Sequence, residues 1–401
     1  MQQTAVQQTL AQAQTALQTG EAQRAAGLAQ EAIKACFATA DRICLGDALV
    51  ILGRANAQLD ERRRAIDCYD RALNIAADLD LPDLETRAAR GMAALKDPLL
   101  WGERALSAAR RTDDHATTRD IMLDVGEAAY AAGKITRARE LADEAAAGAD
   151  DPDRVARAYG LKGRIETDAR NFEAAREALQ EAFMAARKAS DPRLEATALD
   201  DLVAIYRKLD LRDKVLEVYE YRLKIAEDSG NAHRTIDLLT EFADEFAAEQ
   251  NYEAAVQQLN RALDRAEQLG DVRAQLDTEG RIGALYVRMG FASMAVGNFQ
   301  RMADLARQAR DTDAEIDALG RLATAQRERG EIKLALESHE RAIKLASART
   351  DKTPLARLTV SQAKTLQAAG RADDARRELE RARTLVGRDH PLRREIDALL
   401  G

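Results

Sequence analysis

Aromatic side chains make up only 4% of this 401-residue chain, with a single tryptophan, and proline occurs six times. That shortage, together with an apolar share dominated by alanine, argues against a turn-rich chain and predicts an all-helical protein packed through small side chains. Cysteine is almost missing. Cys36, Cys44 and Cys68 form no C-x-x-C pair, and their odd number argues against a disulfide framework. They read as half-buried thiols in a reducing compartment. No apolar run approaches the ~20 residues that cross a bilayer, so no membrane insertion is expected. The first twenty residues, MQQTAVQQTLAQAQTALQTG, have neither a basic start nor an apolar stretch, and they do not read as a signal peptide. A cytoplasmic protein is the expectation. There is no surplus of basic charge either. The net charge is −8, with both signs mixed throughout, and nucleic acid is not expected as a partner.

Motifs of catalysis are absent as well. His115, His233, His339 and His390 lie far apart with no Cys or His at ligand spacing, which excludes a metal site of the usual kind. Gly133-Lys134-Ile135 lacks the upstream glycine of a phosphate loop and has isoleucine where Ser or Thr should follow. There is no G-x-S-x-G, and Ser293 and Ser338 have no base visible in sequence. The expectation is a protein that is not an enzyme and carries no cofactor.

What the chain does have is a period. QRERGEIKLALESHERA, residues 326–342, reads as a helix end, a turn at Gly330 and a second helix carrying Ala335, His339 and Ala342. The pattern returns forty residues later with Gly370, Ala375, Leu379 and Ala382, and earlier around Ala295 and Ala255. Periods of about 20–50 residues mark repeat arrays. With the second-helix alanine as marker, copies fall at Ala25, Ala65, Ala138, Ala175, Val215, Ala255, Ala295, Ala335 and Ala375. Twelve residues before each stands Ala13, Gly53, Gly126, Gly163, Val203, Ala243, Gly283, Ala323 or Ala363, almost all small. Glycine inside a helix costs about 1 kcal/mol relative to alanine, so its recurrence needs close helix approach as compensation. Alanine recurs again seven residues after most of the second-helix markers. Larger residues at Tyr69, Tyr219, Leu259, Phe299 and Leu379, and at Tyr206, Phe246, Tyr286 and Leu366, fall on helical spacing and read as inter-helix packing. His339 shares their register and reads as a core or edge histidine, not a catalytic one.

Asp151-Pro152, Asp191-Pro192 and Thr353-Pro354 are helix-start signals, and Gly230 and Gly270 are helix ends. A shortened copy around Lys96-Asp97-Pro98 has proline in place of the marker, next to Trp101, and predicts a bend or register change. The 37-residue step containing Gly148–Asp153 is a second loosened joint. The last residues, with Leu392, Ile396 and Leu399 on one face, read as a cap. Counted through, the chain holds ten helix pairs, divided as 1–112, ending in the shortened copy, and 113–401, in one continuous solenoid.

This unit resembles the tetratricopeptide repeat over nearly the whole chain, and SHERAIKLA and AEQLGD are similar to the longer forty-residue variant of Leu-Gly-Asn-type adaptors, kinesin light chains and Rap-type regulators. The resemblance implies a right-handed superhelix whose first helices line a concave groove for peptides or protein segments. The ligand signatures of those relatives are not present. The adaptor asparagines are replaced by Arg281 and Ala284, Arg321 and Thr324, and Glu241 and Asp244, and the lysines of a carboxylate clamp by Gly280, Gly320, Val360, Thr240 and Asp200.

By helical geometry the groove face of the last five copies holds Asp200, Arg207, Asp237, Thr240, Asp244, Asp277, Asp317, Thr324, Arg327, Arg357 and Lys364. Asp237, Asp277 and Asp317 recur at forty-residue spacing as an acidic row. It reads either as a track for a basic peptide or as solvated carboxylates near helix starts. The functional expectation is a scaffold or adaptor binding a protein or peptide, the alternative a peptide-responsive regulator of a signalling or transcription partner. Self-association is left open.

Overall fold

The computed structural model describes residues 2–148, 151–387 and 389–401, and among these every regular element is a helix. It divides into two compact units, Met1–Val215 and Leu216–Gly401. Unit 1 holds α1 (Gln2–Gln18), α2 (Ala22–Thr39), α3 (Arg42–Gln58), α4 (Arg62–Leu79), α5 (Pro82–Ala93), α6 (Pro98–Ala109), α7 (His115–Ala131), α8 (Ile135–Ala147), α9 (Pro152–Asp168), α10 (Phe172–Ala189) and α11 (Pro192–Lys208). The division falls within α12 (Arg212–Asp228). Unit 2 continues with α13 (Ala232–Ala248), α14 (Tyr252–Leu269), α15 (Val272–Arg288), α16 (Ala292–Ala309), α17 (Thr312–Glu328), α18 (Ile332–Ser347), α19 (Thr353–Ala368), α20 (Ala372–Leu385) and α21 (Pro391–Leu400). Within unit 1 the helices α1 to α10 form five successive pairs, and within unit 2 α13 to α20 form four, followed by the single helix α21.

Each first helix, except in the short third pair, α5 with α6, ends on a left-handed residue five positions before the second-helix marker: Gly20, Asp60, Gly133, Arg170, Asp210, Gln250, Gly290, Gly330 and Gly370. The following N–H then reaches back five residues, as Glu331 does to the Gln326 carbonyl at 2.8 Å, which satisfies carbonyls the helix end would leave open. Glycine adopts this conformation freely, whereas an L-residue is disfavoured there by about 1–2 kcal/mol. Gln250→Gly is therefore expected to raise stability by about 0.5–1 kcal/mol after the flexibility glycine adds to the unfolded chain is subtracted. Urea unfolding of the two proteins side by side checks it, and a lower midpoint for the variant would refute it.

All the marker residues are buried. The reason some are glycine lies in the partner helix. A Cβ on Gly53 would stand 2.6 Å from the Tyr69 ring, on Gly163 2.5 Å from Leu179, and on Gly283 2.6 Å from the Phe299 ring. The large residue of each second helix thus fills the space the first helix leaves empty, and the two sequence registers describe one contact. His339 is fully buried in the same register. Glu279 is a further surprise. It is 1% exposed at a position where other copies have Leu199, Leu239 or Leu319, and it is held by Asn298 at 2.6 Å and by Arg301 at 2.6 and 3.0 Å. Glu279→Ala is expected to cost about 2 kcal/mol in urea unfolding, because it strands the buried Asn298 amide, while Glu279→Gln should lose about half of that.

Several expectations change in detail. Cys36 and Cys44 are joined in a disulfide and only Cys68 is a free, buried thiol. The tight turn through left-handed Ala40 and the N-cap Asp41 brings the last turn of α2 against the first turn of α3, Cα atoms 5.8 Å apart, a proximity that spacing along the chain did not reveal. Pro98 begins α6 behind the N-cap Asp97, and Gly102, Ala105 and Ala109 supply the buried small residues farther on. Trp101 is half-buried, with Arg104 at 5.5 Å over its ring. Thr353 is the first residue of its helix, not the cap. Asp151 and Asp191 do cap, and Gly230 and Gly270 are left-handed at φ 67°. The joint at Gly148–Asp153 includes residues 149 and 150, which lie outside the described residues. At the end of unit 2, Ile396 is fully buried and Leu392 and Leu399 pack beside it, so α21 closes the last interface.

Candidate ligand-binding cleft

In unit 2 the first helices α15, α17 and α19 follow one another on one face, and an open cleft of about 1230 Å³ lies along them. Its floor is apolar, with Val287, Phe299, Ile316 and Leu358. Its rim is charged: Arg288 from α15, Asp313, Asp317 and Arg321 from α17, Arg349 and Asp351 from the segment after α18, and Arg357 from α19.

That segment is why the cleft forms here. α14 and α16 end on left-handed Gly270 and Arg310, and two residues connect each to the next helix. The same register holds Thr350, whose β-branch resists the left-handed region. So α18 stops at Ser347, and of the five residues before the next helix the first four, 348–351, wall one side of the cleft. The Lys352 ammonium donates to the carbonyls of Ser347 and Arg349 at 2.9 and 2.6 Å, serving as the missing helix cap. The Asp351 carboxylate accepts from the Thr353 N–H at 2.9 Å, which holds its pKa below the usual carboxylate range. Arg349 pairs with Asp313 and ties the wall to α17.

Of the eleven residues expected on the groove face, Asp317, Thr324 and Arg357 line the cleft. Asp237, Thr240 and Asp244 on α13, Asp277 on α15, Arg327 on α17 and Lys364 on α19 lie elsewhere in unit 2, and Asp200 and Arg207 are exposed on α11 of unit 1. The acidic row is largely neutralised by its own helices. Arg281 holds Asp277 at 2.8 Å and Asp244 at 2.9 Å, and Arg321 holds Asp317 at 2.9 Å. Asp237 has no such partner among the described residues, and the next step of the register after Asp317 is a cation, Arg357. The threonines are turned inward on their helices: Thr240 donates to the Ile236 carbonyl at 2.9 Å and Thr324 to that of Gly320 at 3.1 Å. Lys364 reaches Glu395 of α21 at 2.7 Å and fastens the cap. Arg327 sits with one guanidinium nitrogen buried and unpartnered, beside His339.

Sequence reading did not assign Arg288, Arg321, Arg349 or the floor residues to the groove. The Asp-x-x-x-Arg spacing of Asp277 with Arg281 and of Asp317 with Arg321 was the available signal. In unit 1 the equivalent face is bridged between neighbouring first helices: Arg87 to Asp47 at 2.6 Å, Arg90 and Arg157 to Asp124 at 2.9 and 2.8 Å, and Arg154 to Asp120 at 2.7 Å. Among the described residues no cluster of three or more His, Cys, Asp or Glu has the geometry of a metal site, and no helix is long and apolar enough to cross a membrane.

The family model described as tetratricopeptide repeat matches residues 156–188, most of α9 with α10. No curated protein matches the chain. Similar solved structures include a signal transduction ATPase with a tetratricopeptide repeat sensor from Pyrococcus horikoshii, 15% identical at TM-score 0.47, covering 80% of this chain and 52% of that one, so this chain spans about half its length. Aspartyl phosphate phosphatase F from Bacillus subtilis is 13% identical at TM-score 0.45, covering 85% of this chain and 93% of that one. A putative kinesin light chain from Podosopora anserina is 17% identical at TM-score 0.40, covering 47% and 93%. With its forty-residue helix pairs and their small-residue registers the chain is an all-helical repeat protein, and one of its pairs, α9 with α10, matches the tetratricopeptide repeat.

Proposed function

We propose that the chain is a non-enzymatic, cytoplasmic interaction scaffold that holds a peptide or protein segment on its first-helix face, seated in the cleft of α15, α17 and α19. The observation that carries this is the cleft itself, an apolar floor rimmed by charge and sized at about 1230 Å³ for several side chains. Repeat arrays present extended surfaces of this kind for binding. Affinity purification from the native cell with wild type, Thr324→Tyr and Asp200→Lys tests it. Tyrosine at 324 obstructs the cleft between α17 and α19 and should lose the partners, whereas reversal at the exposed Asp200 should keep them. Partners retained by the obstructed variant would sink the reading.

A peptide-responsive regulator is the second reading. On the cleft side, among the described residues, one hydroxyl contact, Thr324 to Ser361 at 3.4 Å, is the hydrogen bond between α17 and α19, so an occupant bridging the two helices would change how firmly they are joined. A change of scattering radius on adding a bound peptide distinguishes it from a passive scaffold.

A further inference from the structure

We propose that the cleft of unit 2 selects a peptide segment in which an acidic side chain stands beside an apolar one. The carboxylate is held by Arg288 and Arg357, and the apolar group lies on Val287, Phe299, Ile316 and Leu358. This rests on reading the cleft as the ligand seat.

The sign of the ligand follows from cancelling the rim charges. Four arginines and three aspartates line the cleft. Arg321 is taken by Asp317 and Arg349 by Asp313. Asp351 accepts from the Thr353 N–H, and Arg357 lies near enough to lower its pKa without forming an ion pair. Arg288, Arg357 and Asp351 are left without an ion pair among the described residues, two cations against one anion. A guanidinium matches a carboxylate with two parallel hydrogen bonds and is weakly hydrated, so it binds an acid better than an ammonium would. A basic segment would meet these two cations with only Asp351 to offset them. The floor offers no charge at all, which asks for an apolar side chain between the contacts. The Ser361 and Thr350 hydroxyls on the rim are within the same cleft and suit a peptide backbone.

Selection from a random-peptide display library on the full-length chain tests this. Enriched peptides should combine Asp or Glu with large apolar residues. A synthetic copy of the most enriched one should bind about tenfold or more weaker to the Arg288→Glu, Arg357→Glu double variant, and weaken with added salt. The Arg288→Lys, Arg357→Lys variant keeps the charge but not the paired hydrogen bonds and should bind more weakly than wild type yet more tightly than the double glutamate, and circular dichroism checks that each variant is folded. Basic or uncharged peptides that are lost on Thr324→Tyr would overturn the charge selection and leave the cleft as the binding seat. Peptides that survive Thr324→Tyr, or no enrichment, would overturn both.

Discussion

Replacing Gly283 with leucine is expected to destabilise unit 2 by about 3 kcal/mol, the upper part of the range for overpacking a tight core. The argument is geometric. Even a bare Cβ would come within 2.6 Å of Phe299 Cε1 and 2.8 Å of Cζ, and the ring is 3% exposed. Leucine adds three more carbons in the same direction. The helices must separate or Phe299 must leave its pocket, and either loses packing on both sides. Phe299→Ala on its own opens a cavity and also costs stability. Combined with Gly283→Leu it should recover part of the loss, since the leucine then occupies the space of the ring. Urea unfolding of the four proteins gives the coupling directly. Ala295→Leu, at a fully buried second-helix marker, should behave like Gly283→Leu. Additive effects of Gly283→Leu and Phe299→Ala would mean that α15 and α16 do not touch there.

Acid should weaken unit 2 through His339. Burial, with help from the Arg327 charge, pushes its pKa down to about 4 from the ordinary 6.5. The ring faces Thr365, whose hydroxyl donates to the Ser361 carbonyl at 3.1 Å and so accepts from Nε2–H at 3.2 Å. Nδ1 is left as a buried acceptor without a partner, and the neutral tautomer follows from this arrangement. Because the native pKa is depressed, the unfolded chain binds the extra proton first. Stability from this group is complete above about pH 6.5, falls as the pH drops, and is lost by about pH 4. The interval of 6.5 to about 4 corresponds to roughly 3 kcal/mol. His339→Phe, which copies Phe299 of the preceding repeat, should flatten the pH dependence of urea unfolding across that window. An unchanged slope would show that His339 titrates normally and is open to water.

The packing was legible because it is local and repeated. Ala335 meets the same neighbours as Ala295 and Ala375, so side-chain size recurs with the period and sequence spacing reports a physical contact. The caps at Asp151 and Asp191, the helix ends at Gly230 and Gly270 and the closing face around Ile396 were legible for the same reason. The face of the groove could be placed by helical geometry, but its charge could not. Asp244 is neutralised by Arg281, 37 residues away, and Asp313 by Arg349, 36 away. Nothing in the period requires those partners to be present.

Size at fixed registers, set by the sequence alone, determined that this chain is an array of helix pairs, because a hairpin that touches only its neighbours must be complementary to them at every repeat. Tertiary structure alone decided that Cys36 and Cys44 are joined, that the segment after α18 walls a cleft, and that its rim is left with more arginine than aspartate. Those outcomes depend on side chains from different helices meeting in space, where one exchanged residue, Thr350 or Arg357, alters a single copy without disturbing the period.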